Sequence, residues 1–141
     1  MTDEEMLKLI EYAAINKSIS LDLSCENITT VPSEIGQLVN LRKLNLRFNQ
    51  LTSLPRDIGK LTNLKFLYLY GNKLGSLPSE IGQLVNLQVL DVNGNNLVSL
   101  PKEIGQLINL TTLNMHSNNL KGNSPHQLCH PARFTRNSQA D

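Results

Sequence analysis

Leucine returns along this chain in one fixed figure. LRKLNLRFNQL at 41–51 recurs as LKFLYLYGNKL at 64–74, LQVLDVNGNNL at 87–97 and LTTLNMHSNNL at 110–120, and LPxxIGxLxN joins the copies. Pro32, Pro55, Pro78 and Pro101 stand 23 residues apart, and Gly36, Gly59, Gly82 and Gly105 keep the same step, as do Asn40, Asn63, Asn86 and Asn109. Columns held in phase at one period mark an internal repeat. A unit of this length cannot bury its apolar face alone, so successive units must stack as a solenoid.

Each segment of the unit has its own physical reading. In LxxLxL the last two leucines lie two residues apart, which predicts a short strand with one buried face. Strands from successive units then pair in parallel, with a 23-residue step long enough for the crossover. Asn49, Asn72, Asn95 and Asn118 follow the strands where the chain turns inward, so their amides are expected to satisfy backbone groups that water cannot reach. Leu-Pro pairs such as Leu54-Pro55 impose an extended residue and then a fixed φ, suited to opening a short helical turn on the outer side. Ile58 and Leu61 point inward, and Gly59 with its equivalents is expected to permit a tight reversal. The predicted fold class is α/β: a right-handed solenoid with a parallel strand ladder on its concave face.

The ends depart from the pattern. Residues 1–17 are expected to form a capping helix. Thr2 and Glu5 make a capping box, Asp3 and Glu4 suit the positive end of the helix dipole, and Met6, Ile10 and Ala13 or Ala14 form one apolar stripe. The repeats cover residues 18–120, about five units, the first degenerate with Ser18 in a leucine column and Glu26 in an asparagine column. Residues 121–141 are polar and aperiodic, with Asn123 and Ser124 where Leu and Pro should recur, and are expected to be a disordered tail. The last strand then shows an edge, so the array is expected either to be truncated relative to its relatives or to be closed by a partner or an edge-mediated dimer.

Residues that alternate outward along the strands line the concave face. They are Ser20, Asp22 and Ser24; Lys43, Asn45 and Arg47; Phe66, Tyr68 and Tyr70; Val89, Asp91 and Asn93; Thr112, Asn114 and His116. Three of the chain's six aromatic residues thus fall in one row at its centre, flanked by Lys43 and Arg47 on one side and Asp91 on the other. Aromatics with arginine nearby are the usual substance of binding hot spots. The predicted protein-binding residues are Lys43, Asn45, Arg47, Phe66, Tyr68, Tyr70, Val89, Asp91, Asn93, Asn114 and His116, with Asp91 taken as a solvated strand residue.

Composition narrows the function. With 13 basic and 12 acidic residues the formal charge is +1, which gives no global field for nucleic acid or an anionic membrane. No apolar run approaches the roughly 18 residues of a membrane span, and the acidic amphipathic start is unlike a secretory signal. Cys25 and Cys129 form no framework, and a cytoplasmic location is expected. His126, Cys129 and His130 make a loose trio without a second cysteine pair, so no metal site is expected there. No nucleophile, base or carboxylate pair is forced together, and neither enzyme activity nor a cofactor is expected.

The unit LxxLxLxxNxLxxLPxxIGxLxN, complete from Leu41 to Asn109, resembles the leucine-rich repeats. Its length and its LPxEIGxL half are similar to the Ras-group, scaffold-type class. The opening helix followed by SLDLSCENITTVPSEIGQL resembles bacterial, notably cyanobacterial, repeat domains, some of them fused to a Roc–COR GTPase module. The resemblance implies a scaffold that binds protein on the concave face, with a small GTPase or other signalling protein as partner. The alternative it implies is a regulatory repeat fragment of a Roc–COR-type protein without its GTPase module, since no GxxxxGK[ST] phosphate loop occurs in the chain.

Overall fold

The computed structural model describes residues 1–120. The segment 121–141, including the expected tail and the His126, Cys129 and His130 trio, lies outside the described residues. Helix α1 runs Asp3–Ile15, and five three-residue strands follow: β1 Ser20–Asp22, β2 Lys43–Asn45, β3 Phe66–Tyr68, β4 Val89–Asp91 and β5 Thr112–Asn114. Between strands lie single 3₁₀ turns at Ser33–Gln37, Arg56–Lys60, Ser79–Gln83 and Lys102–Gln106.

The strands form one parallel sheet in sequence order, β1-β2-β3-β4-β5. Its register follows the repeat: Asp22 pairs with Asn45, Asn45 with Tyr68, Tyr68 with Asp91 and Asp91 with Asn114. Pairing continues past each strand, as the N–H of Leu23, Leu46, Leu69 and Val92 donates to the carbonyl of Asn45, Tyr68, Asp91 and Asn114 in the next turn. The inward column Leu44, Leu67 and Leu90 is fully buried, together with Leu46, Leu69 and Val92, and the core runs unbroken from one turn to the next.

Thr2 caps α1 as its sequence requires. Its hydroxyl accepts from Glu5 N–H at 3.1 Å and Glu5 Oε1 accepts from Thr2 N–H at 3.4 Å. Met6, Ile10 and Ala13 are buried against the first turn while Ala14 packs beside them, so the stripe takes in both alanines.

Two backbone features differ from expectation. The glycines of IGxL do not sit at positive φ. A Cβ on Gly59 would lie 2.8 Å from the Glu80 carbonyl oxygen and 2.6 Å from Gln83 Oε1, and one on Gly82 would lie 2.8 Å from the Glu103 carbonyl. Glycine is needed there so that adjacent 3₁₀ turns can touch, not to reverse the chain. Besides Lys17 and Asn27, the left-handed residues form a separate column: Cys25, Phe48, Gly71, Gly94 and Ser117, with φ between +55° and +76°. Each precedes the turn asparagine or, in the first unit, Glu26.

That asparagine column threads the interior. Asn49, Asn72, Asn95 and Asn118 are 5–6% exposed. Asn72 Oδ1 accepts from Leu51 N–H at 3.0 Å, and its amide donates to Leu46 O at 2.9 Å and Leu69 O at 3.1 Å. Leu69 O also receives Asn95 Nδ2 at 2.9 Å, so each carbonyl is shared by asparagines of successive turns. A second, exposed column stitches the 3₁₀ ends, where Asn63, Asn86 and Asn109 donate to Val39, Thr62 and Val85 carbonyls at 2.7–2.8 Å.

Candidate functional site

Strand alternation turns the predicted residues to the solvent side of the ladder in three rows. Lys43, Phe66 and Val89 occupy the first row and are paired in register. Asn45, Tyr68, Asp91 and Asn114 occupy the second. Arg47, Tyr70, Asn93 and His116 follow at the same repeat step in the third.

The second row begins with short Asx turns. Asp22 Oδ1 accepts from Ser24 N–H at 2.9 Å and Ser24 Oγ–H at 2.7 Å, and these bonds hold its carboxyl below the usual carboxylate range. Asn45 Oδ1 likewise accepts from Arg47 N–H at 3.1 Å, and Asp91 Oδ1 from Asn93 N–H at 3.1 Å. Tyr68 interrupts this column, having no carboxyl or amide to close the turn, and its ring becomes a platform instead. The Arg47 guanidinium carbon stands 4.0 Å from the Tyr68 ring centroid, and Lys43 Nζ stands 5.7 Å from it. Two cations therefore converge on one aromatic ring. Among the described residues the ion pairs are Lys8–Glu4 and Lys60–Asp57, neither on this face, so Lys43 and Arg47 have no carboxylate within 4.0 Å.

Beside this platform lies a contact that the sequence reading missed. Phe48, 54% exposed, stacks against Tyr70, 42% exposed, with ring centroids 5.2 Å apart and a tilt of 44°. Phe48 belongs to the left-handed column and so leaves the strand alternation, swinging toward the third row. Gly71 makes the room: a Cβ there would come 2.7 Å from Phe48 Cδ1. The available signal was glycine in that column at Gly71 and Gly94, which marks a position without side-chain bulk next to an aromatic. Phe66 and Val89 are half-buried.

Asp91 is not the solvated residue that its place on the outer row implied. It is 6% exposed, and burial pushes its carboxyl above the usual range, opposed by the Asn93 N–H bond and by Arg47. Its register partner Asn114 has a buried Oδ1 with no hydrogen-bond partner. Asn93 Oδ1 accepts from His116 N–H at 2.6 Å, so this pair serves the backbone as well as the surface.

Among the described residues no group of three or more His, Cys, Asp or Glu side chains could hold a metal ion, and no helix is long and apolar enough to cross a membrane. Cys25 is free and exposed.

Comparison with known proteins fits this geometry. The family model described as a leucine-rich repeat region matches residues 56–128, and a second leucine-rich repeat model matches residues 20–74. The chain belongs to the leucine-rich repeat family. A solved leucine-rich repeat protein of Leptospira interrogans is 41% identical, superposes with a TM-score of 0.80 and is matched over 87% of this chain. The leucine-rich repeat ectodomain of the receptor kinase SOBIR1 from Arabidopsis thaliana is 29% identical with a TM-score of 0.70 over 82% of this chain. The chain spans 32% of the Leptospira protein's length and 66% of the plant ectodomain's. No curated protein matches the sequence. Leucine-rich repeat domains commonly serve as protein-interaction modules and are typically non-catalytic.

Proposed function

We propose that this leucine-rich repeat chain is a non-catalytic scaffold that holds a protein partner against its strand ladder. On this reading the array winds right-handed, the sense expected of parallel crossover connections, and the ladder is its concave wall. One observation carries the proposal: Phe66, Tyr68 and Tyr70 line the middle turn of the ladder, with Phe48 stacked on Tyr70 and Arg47 laid over Tyr68. Contiguous exposed aromatic surface rimmed by polar groups is what protein interfaces are built on. Lys43, Asn45, Asn93, Asn114, His116 and Val89 form the surrounding rim, supporting contact and register rather than most of the affinity, while the buried Asp91 contributes charge rather than contact.

A rigid ladder loses little conformational freedom on binding, so a modest patch suffices. On this reading the protein is cytoplasmic, in keeping with the free Cys25. A signalling protein such as a small GTPase is the partner suggested by the Ras-group resemblance of LPxEIGxL, and a regulatory role beside a Roc–COR module by that of the opening segment. The test is the double substitution Tyr68→Ala/Tyr70→Ala, checked for folding by circular dichroism and used in affinity purification from the native host. Loss of the partners retained by the wild type is expected; equal recovery by both proteins sinks the proposal.

A further inference from the structure

The convergence of Lys43 and Arg47 specifies the partner more closely. We infer that the ladder face takes an extended peptide segment carrying an aspartate or glutamate two residues from a bulky apolar side chain. This inference rests on the ladder being the binding surface and adds the chemistry of what binds.

Three observations carry it. First, two cations share the Tyr68 ring at 4.0 Å and 5.7 Å and have no carboxylate within 4.0 Å among the described residues. Like charges brought together, with no carboxylate salt-bridged to either, form an anion subsite. Stacking on a ring fixes the guanidinium plane while leaving its N–H edge able to grip a carboxylate with two bonds. Second, the nearby acids set the charge that fits. Asp22 precedes Asn45 in register and Asp91 follows Tyr68, so the cations sit between two carboxyl groups. A singly charged carboxylate balances that arrangement better than a doubly charged phosphate. Third, the apolar subsite formed by Phe48 and Tyr70 adjoins that ring, Tyr70 standing two residues beyond Tyr68 just past the end of β3, where Phe48 N–H still donates to the Tyr70 carbonyl at 2.8 Å. Two residues of strand span about 6.6 Å, the distance between same-side side chains i and i+2 of an extended peptide. Acid and apolar side chain can therefore reach their subsites together.

The probe is a set of fluorescent seven-residue peptide pools with Phe fixed two residues after a position holding Asp, Asn, phosphoserine or Lys. Binding to the whole protein is read by fluorescence polarisation at low salt and at about 0.15 M salt. The Asp pool should bind about tenfold or more tighter than the Asn pool, with the advantage shrinking as salt rises. Arg47→Ala should erase that preference, and Arg47→Lys should reduce it, since lysine lacks the planar fork. Phe48→Asn, which retains a residue tolerant of positive φ, should weaken both pools alike. Equal binding of the Asn or Lys pool overturns the inference, and preference for phosphoserine would make the site a phosphate reader instead. A dimer in sedimentation that Phe48→Asn dissolves would put a second copy of the chain on this face, which also overturns it. If no pool binds while host partners still depend on Tyr68 and Tyr70, the peptide chemistry is wrong and the ladder remains the binding surface. If Asp-pool binding survives Tyr68→Ala/Tyr70→Ala unchanged, both readings fall.

Discussion

Replacing Asn72 with alanine probes the interior asparagine column where each bond can be followed. Its Oδ1 takes the Leu51 N–H at 3.0 Å, and its amide reaches Leu46 O and Leu69 O. Those carbonyls each keep another amide donor, Asn49 on Leu46 and Asn95 on Leu69. Leu51 N–H keeps none of its bonds. The substitution therefore orphans one buried donor, costing about 1–3 kcal/mol, and removes two shared bonds that contribute about 0.5–1 kcal/mol each. A loss of about 2–5 kcal/mol follows, measured by urea unfolding with linear extrapolation. Asn72→Asp separates the two halves of the amide. It keeps an acceptor for Leu51 but sets a buried carboxylate against two carbonyl oxygens. Its native pKa must rise above the unfolded value, so its deficit should grow as pH rises from about 4 and shrink on acidification, when the protonated acid can donate one bond. Asn63→Ala, whose exposed amide donates to Val39 O alone, serves as control and should cost no more than about 1 kcal/mol. An Asn72→Ala loss no larger than the control's, or an Asn72→Asp deficit flat with pH, would falsify the reasoning.

Asp91 should behave as an acid that destabilises the protein once ionised. Its folded pKa lies above the unfolded one, so the folded state holds the proton longer and stability falls as pH climbs from about 4 through the raised value. Asp91→Asn keeps the oxygen that accepts from Asn93, as Asn45 does for Arg47 in its own turn, and adds an amide beside the unpartnered Asn114 Oδ1. It should be more stable than wild type at pH 7 and converge with it near pH 4, checked by chemical unfolding at both. Gly59→Ala should lose about 1–3 kcal/mol because its Cβ strikes the Glu80 backbone. Gly75→Ala, with nothing within 4 Å and no positive φ, should gain about 0.4–1 kcal/mol, both read as shifts in unfolding midpoint.

Periodicity made the ladder legible before any coordinates, because a 23-residue step puts every inward leucine, proline and turn asparagine in phase. Thr2 and Glu5 announced the capping box as plainly. What stayed hidden depends on contacts between turns rather than within one. The glycines of IGxL look identical whether they reverse a chain or let a neighbour approach, and only the Glu80 carbonyl beside Gly59 tells them apart. Phe48 was passed over because strand alternation does not apply once φ becomes positive. Asp91 looked solvated because its row faces outward, whereas in the folded ladder it is only 6% exposed. Within the site, the aromatic row was visible as a row; the stacking of Arg47 on Tyr68 required the Asx column to lapse at Tyr68, a coincidence of two neighbouring turns.

The strictly consecutive order of the strands also fixes how the molecule answers to tension. Among the described residues no distant strand clamps the array, so a pull on its ends meets a series of similar small barriers instead of one large one. Each turn released would lengthen the tether by up to about 80 Å, the reach of one extended repeat.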